Sequence, residues 1–403
     1  MNNLKAAASL VAMLVLGSAL AGCGANSLSA SSGSEASADA IKLGLMAPSS
    51  GVYASIGKDL TRGMRLYLDQ HDGRLGGRKV DLVTVDEGGG PDTGTPAARR
   101  LIQQDKVVAA TGVVNSATGA AVAPMFDAAH IPVVSSAQLA YGTTLPYWWV
   151  DSYPNAATST SMADYLGKTL TKGDGVYLIS SDYSQGHAIM GSMAKLLAAR
   201  GIRVLGTTYT PLSSTLDFQP YLSDIKKAGA HAVYAYYAGA DAVRFVKQYS
   251  QSGLGGQATL YANLALTEGN LAAQGDTAVG VVTNSIYTAQ LDTPENTAFV
   301  RDYGKAYGGD EPSVYSEMQY AAASVLDKAL GTLKGKSVTG TQIRDAIASL
   351  GEITTPRGSW RFDENHMPTQ MIYLRKAQAN GATVTNPVIA RLGVYSSAGK
   401  KVG

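Results

Sequence analysis

From Ile41 onward, short apolar runs alternate with segments whose apolar residues recur at helical spacing, and this rhythm restricts the fold more than any other feature of the chain. Residues 41–46, 80–85, 107–111, 131–134, 176–180, 202–208, 231–237 and 259–262 read as strands. Residues 56–70, 97–104, 117–129, 187–200, 218–228 and 240–252 read as helices between them. Strands that alternate with helices call for parallel sheets covered on both faces. The units are too many for one modest sheet, so the fold class expected is α/β, with two Rossmann-like parallel-sheet lobes joined by a hinge of several crossings. The turn- and aromatic-rich stretch 141–155 suits the first crossing. The tail is mixed: helices at 295–307, 315–330 and 341–350, then strands at 358–362, 371–375 and 388–392. A mixed ending implies a chain that returns to both lobes. The expected division is 40–155 with 287–360 for lobe one, and 156–286 with 361–403 for lobe two.

What precedes Ile41 reads as an address. Lys5 is followed by a mostly apolar stretch, 6–21, that ends in Leu20-Ala21-Gly22-Cys23. A basic start, a short apolar core and a small-residue junction describe a secretory signal, here 1–22. Leu-Ala-Gly-Cys is similar to the bacterial lipobox, which implies lipidation of Cys23 and a chain held at the outer face of the cytoplasmic membrane. The small polar residues of 23–39 read as a flexible tether. Cys23 is the only cysteine, so no disulfide is available to the body of the chain. The formal net charge is +2, which gives no electrostatic case for nucleic acid.

Catalytic and metal-binding patterns are missing. There is no Gly-x-Ser-x-Gly elbow and no His-Glu-x-x-His helix. The five histidines show no ligand spacing. The stretch Gly88–Gly94 follows a strand and precedes a helix, a position that suits phosphate, yet it lacks the P-loop ending and the dinucleotide spacing, so it reads as a surface loop. Neither an enzyme nor a cofactor or metal site is expected. Two α/β lobes without catalytic groups suggest a clamp whose ligand lies between the carboxyl ends of the strands.

Several stretches in order carry a family likeness: Ile41-Lys-Leu-Gly-Leu-Met-Ala-Pro-Ser-Ser-Gly51 with Gly57 and Gly63, then 101–112, then Asp182-Tyr183-Ser184-Gln185-Gly186. Asp217-Phe218-Gln219-Pro220-Tyr221-Leu222 and Gly275-Asp276 with Gly280 follow. Over 41–392 the chain resembles the leucine/isoleucine/valine-binding family of type I periplasmic solute-binding proteins. The resemblance implies a monomeric receptor that closes on a small solute and is read by an ABC permease and ATPase. It implies a carboxylate held by the Ser116 hydroxyl and backbone at a helix start flanked by Asn115 and Thr118, with a cap alone as the plainer role of Ser116. It also implies backbone groups of Ala137 and a contact from Tyr183.

The departures from the family pattern bear on the solute. Amino-acid binders of the family hold the ammonium with a hydroxyl and an acid, and the matching positions here are Leu139 and Asn263. Desolvating an ammonium without an anion is costly. The expected solute is therefore a branched or aromatic carboxylic acid, or a neutral amide, rather than an ordinary α-amino acid. Tyr53, Tyr236 and Tyr237 are candidate aromatic walls, and Glu268 a substitute anion. The acid in Trp148-Trp149-Val150-Asp151 stands where many relatives carry an arginine, with no role evident from sequence. A ligand sensor on the same clamp, acting on a signalling partner, is the alternative reading.

Overall fold

The computed structural model describes residues 40–140, 143–171, 173–335 and 337–402. Cys23, the expected signal and the expected tether lie outside the described residues. The described residues fall within one compact unit.

The first sheet runs Arg74–Leu75, Arg78–Asp86, Ile41–Ala47, Ala109–Gly112, Val133–Ser135, Trp148–Val150. It is parallel apart from the opening hairpin. Ile41–Ala47 lies inside the sheet, and every residue of it but Lys42 is buried. That is why it reads as a nearly continuous apolar run: helices cover both faces. Trp148–Val150, read from sequence as part of a crossing, is an edge strand whose side chains are all buried. The helix expected at 97–104 starts earlier, as Pro91–Arg99, and continues into a wide turn at Arg100–Asp105. Pro91 loses nothing at a first helical turn, where its missing N–H has no partner to find.

Late segments complete this lobe. Helix Val314–Thr332 lies along helix Ala54–Gln70, with Leu60, Met64 and Tyr67 packed among Met318, Ala322 and Leu326 in one core. The approach is close enough that a Cβ on Gly63 would come within 2.0 Å of the Ser316 carbonyl oxygen. Only glycine fits there.

The second sheet runs Ile353–Thr355, Gly358–Phe362, Pro368–Lys376, Val282–Ser285, Thr259–Asn263, Ala232–Tyr236, Gly175–Asp182, Arg203–Pro211, with Val388–Tyr395 also paired to Pro368–Lys376. From Val282–Ser285 to Arg203–Pro211 it is parallel. The C-terminal strands join it antiparallel. The C-terminal strands, Ile353–Thr355 and Gly358–Phe362 included, thus lie on this sheet, while helix Val314–Thr332 packs against Ala54–Gln70.

Between the lobes the backbone crosses near Asp151–Pro154, after Val282–Ser285, and before Ile353–Thr355. A buried charge cluster joins two of these crossings. Asp151 is fully buried and accepts from the Ser136 hydroxyl at 3.3 Å. Arg357, also buried, donates to the Asp151 carbonyl at 2.6 Å and lies 3.6 Å from Glu317. Glu317 accepts from Thr355 at 2.9 Å. Burial pushes the Asp151 carboxyl up to about 7, against the pull of Arg357, and pushes Glu317 up as well. The acid after the tryptophan pair is therefore part of the hinge core.

The lobes touch at two further places. Gly239, at the start of helix Gly239–Gln251, has φ +56, and a Cβ there would lie 2.3 Å from the Val52 carbonyl oxygen of the other lobe. Glu268, after strand Thr259–Asn263, pairs through one carboxylate oxygen with Arg375 and accepts the Val314 N–H on the other at 2.9 Å. Val314 begins a lobe-one helix, whose partial positive charge suits the carboxylate.

Candidate functional site

Three helices begin at the wall of one cavity of about 580 Å³. Ser116–Ala128 comes from the first lobe, while Asn155–Thr169, which follows the first crossing, and Ser184–Ala198 come from the second lobe. Ser116, Asn155 and Ser184 all line the space, with Ala117, Ala120, Ala156, Ser159, Gln185 and Ala188 from the same first turns. Leu139, Trp148, Val150, Ile189 and Met367 supply apolar wall. Among the described lining residues none carries a charged side chain. The helix starts give this wall a positive electrostatic bias.

Local sequence sets each start. Asn115 caps the first helix, its side-chain oxygen accepting the N–H groups of Ala117 and Thr118 at 2.8 and 3.1 Å. The cap is thus Asn115, and Ser116 is the first helical residue, which frees its hydroxyl from capping. Gln138 secures the second start: it donates to the Tyr153 carbonyl at 2.5 Å and accepts the Asn155 N–H at 3.0 Å. The Tyr183 side chain makes no cap bond at the third.

The approach to Ser116 is braced from behind. The buried Glu87 carboxylate accepts the N–H groups of Val114 and Asn115, each at 2.8 Å. Val113 beside them has φ 55, a left-handed conformation that a β-branched residue adopts only under constraint. Burial pushes the Glu87 carboxyl up to about 7 despite these two bonds. The glycine-rich stretch after Glu87 belongs to this brace: Asn115 donates to the Gly89 carbonyl at 3.2 Å, and a Cβ on Gly94 would meet Thr118 at 2.3 Å.

The structure brings together only some of the residues singled out from sequence. Ser116 and Leu139 share the cavity wall. Thr118 is buried against Gly94. Ala137 is buried with its backbone engaged, the N–H by Ser135 at 3.0 Å and the carbonyl by the Trp148 indole at 3.3 Å. Asn263 is buried and caps the turn Leu264–Leu266 through Ala265 at 3.1 Å. Tyr183 precedes Ser184, its ring nearly parallel to Tyr236 at 6.4 Å. Tyr53, Tyr153 and Tyr315 complete a cluster of phenols close enough to influence one another's ionisation. Burial is the first cause throughout: it pushes Tyr53, with Asp241 and Glu87 adding, and Tyr153, against a bond from Tyr315, up to about 12, and pushes Tyr183, Tyr236 and Tyr315 well up. Tyr237 instead packs with Phe218 and Phe245 in the second-lobe core. Glu268, with both oxygens bound, is not free to serve as a ligand anion. Asn155 and Ser159 were not singled out, and Ser184 entered only within the family-like stretch 182–186; Pro154 before Asn155 was the available signal for the start of that second-lobe helix.

Comparison with known proteins agrees with this architecture. The family model described as periplasmic binding protein matches residues 40–382. Leu/Ile/Val-binding protein homolog 6 of Brucella melitensis is 31% identical over 366 residues, covering 88% of this chain and 92% of that one. An ABC transporter solute-binding protein of R. palustris, solved with benzoate, is 26% identical with TM-score 0.79, over 90% of this chain and 100% of that one. A second from R. palustris, solved with 4-hydroxybenzoate, is 27% identical with TM-score 0.78, over 88% and 97%. The family is one of binding proteins rather than of enzymes, and the chain belongs to it: this is a periplasmic binding protein with two α/β lobes around a solute cleft.

Proposed function

We propose that the protein is the solute receptor of an ABC importer for a small aromatic carboxylate, held at the cavity where the three helices begin. One observation carries this reading: a cavity with both apolar and uncharged polar walls, positive helix starts from both lobes, and no charged side chain among its described lining residues. A carboxylate is stabilised by such ends. A ring is accommodated by Leu139, Trp148, Ile189 and Met367. An ammonium would find no anion there, and burying it unpaired is costly. The benzoate and 4-hydroxybenzoate held by the two R. palustris relatives support the same class.

A thermal-shift titration tests it. Benzoate should raise the melting temperature with concentration, by a stabilisation of about 2.7 kcal/mol at a hundredfold excess over Kd. Leucine, valine and phenylalanine should not. Micromolar binding of any of the three amino acids overturns the reading. The Leu20-Ala21-Gly22-Cys23 junction supports a lipid anchor that keeps the receptor beside its permease outside the cytoplasmic membrane. Palmitate labelling of the full chain in a bacterial host should then be lost in Cys23→Ala, and persistent labelling excludes that anchor. Among the described residues no helix is long and apolar enough to cross a membrane.

A further inference from the structure

Glu268 is not the only carboxylate at its contact between the lobes. Asp59, on helix Ala54–Gln70 of the first lobe, accepts the Ser313 hydroxyl at 2.6 Å. Glu268 of the second lobe accepts the N–H of the next residue, Val314, at 2.9 Å. The two acids thus converge from opposite lobes on the start of one first-lobe helix, Val314–Thr332. They have little room: a Cβ on Gly269, beside Glu268, would lie 3.5 Å from the Asp59 Oδ2. Both acids line a cavity of about 680 Å³ that is walled by the two lobes and shares no lining residue with the solute cavity.

Like charges brought together in this way have to be offset. Glu268 has its own cation in Arg375. Asp59 is less well served. On its own helix, Arg62 is taken by Asp310 at 2.7 Å, and Lys58 is exposed. Tyr303 faces Asp59 from helix Pro294–Ala306 as a neutral phenol and bonds the Ser316 hydroxyl at 3.0 Å. Glu311, from the loop before Ser313, and Asp276, across the cavity, bring only further negative charge. Burial pushes the Asp59 carboxyl up to about 6, with Glu268 adding, against the Ser313 bond, Arg62 and Lys58. Parting the lobes takes Glu268 away and opens this wall to water, so both causes of the rise weaken and the carboxyl returns toward its ordinary value of about 4.

A group that holds its proton more tightly in the closed form makes closure take up a proton. We infer that closure of this receptor on its solute is linked to protonation of Asp59 across the interlobe contact with Glu268, so that the solute is held more tightly in a mildly acidic medium. The gain is fully present below about 4 and is lost as pH rises through about 6. It rests on lobe closure alone and holds for any solute that does not itself titrate in that range.

Calorimetry with benzoate on wild type and Asp59→Asn, at pH 5.5 and pH 8, tests this. Asparagine cannot ionise, and its amide oxygen still accepts the Ser313 hydroxyl. At pH 8 the variant should bind about tenfold more tightly than wild type or better, and at pH 5.5 that advantage should shrink about fourfold. Glu87 and Asp151 titrate in both chains and cancel in the comparison. Equal affinities at pH 8, or an advantage independent of pH, overturn the proposal. So does an unliganded variant that melts well below wild type at pH 8, since the Asp59 charge then supports the fold. A second arm uses no solute. Ser55, one turn before Asp59, and Ala272, on the second lobe, are both exposed. In Ser55→Cys/Ala272→Cys, a flexible bis-maleimide captures the closed form, and peptide mass spectrometry locates the link. Adding Asp59→Asn should speed linking at pH 8 about tenfold. An unchanged rate, or no link in either chain, overturns the proposal. If neither chain binds benzoate, the aromatic-carboxylate reading fails and the linking rates alone decide for Asp59.

Discussion

Gly239→Asn is expected to hold the lobes apart and to weaken solute binding by about ten- to a hundredfold, the cost of disfavouring the binding-competent closed state. Asparagine tolerates the left-handed φ of +56 at this position, so the fold of the second lobe survives the change. Its Cβ does not fit: the Val52 carbonyl oxygen stands 2.3 Å from where that atom must lie. The obstructing atom is backbone from the opposite lobe, and it moves away only if the lobes part. X-ray scattering with benzoate present should show a larger radius of gyration for the variant than for wild type. Its unliganded melting temperature should stay close to that of wild type. If the affinity is unchanged, the contact does not limit closure. If the unliganded variant is grossly destabilised, the effect lies within the second lobe instead.

Arg357→Met is expected to cost about 3–5 kcal/mol of stability at pH 8, the usual penalty for breaking a buried ionic cluster from one side. The change leaves Asp151 and Glu317 inside the hinge with no cation between them. The loss should shrink at acid pH, and the sign follows from the folded-state shifts. The Asp151 carboxyl is pushed up to about 7, above its unfolded value, so folding favours its protonated form. That contribution is fully present below the unfolded pKa of about 4 and is lost as pH rises toward 7. Glu317 is shifted in the same direction. Removing the guanidinium raises both further. Urea denaturation at pH 5 and pH 8 should therefore show the variant falling behind wild type chiefly at the higher pH. A loss below about 1 kcal/mol at pH 8 would mean that the Arg357 charge makes no net contribution to the buried cluster.

The alternation of strands and helices made the two-lobed architecture readable, because a parallel strand covered on both faces has to be apolar along its length, as Ile41–Ala47 is. Edges were less legible. Trp148–Val150 has only three residues, too few for periodicity to distinguish a strand from a linker. At the site, Ser116 and Leu139 were found from family likeness and do share the cavity wall. Ser159 was not singled out, since one serine among many in a helix carries no local mark, and Ser184 entered only as part of the family-like stretch 182–186, with no role of its own. Their shared place on the cavity wall arises only when one first-lobe helix and two second-lobe helices are brought to one point, and no single stretch of sequence contains that. Glu87 was hidden for a related reason. Its partners are backbone N–H groups at Val114 and Asn115, which leave no trace in side-chain pattern.

The uncharged wall of the cavity also bears on unloading. A lysine or arginine would carry its full charge in any arrangement of the lobes and would keep hold of an anion after the clamp opened. Here the attraction is divided among helices on separate bodies: the Ser184 helix leaves with the second lobe while the Ser116 helix stays with the first. Parting the lobes dismantles the binding field itself. On the reading proposed above, an anionic solute would then face water and one remaining helix start, with no rival charge needed to displace it.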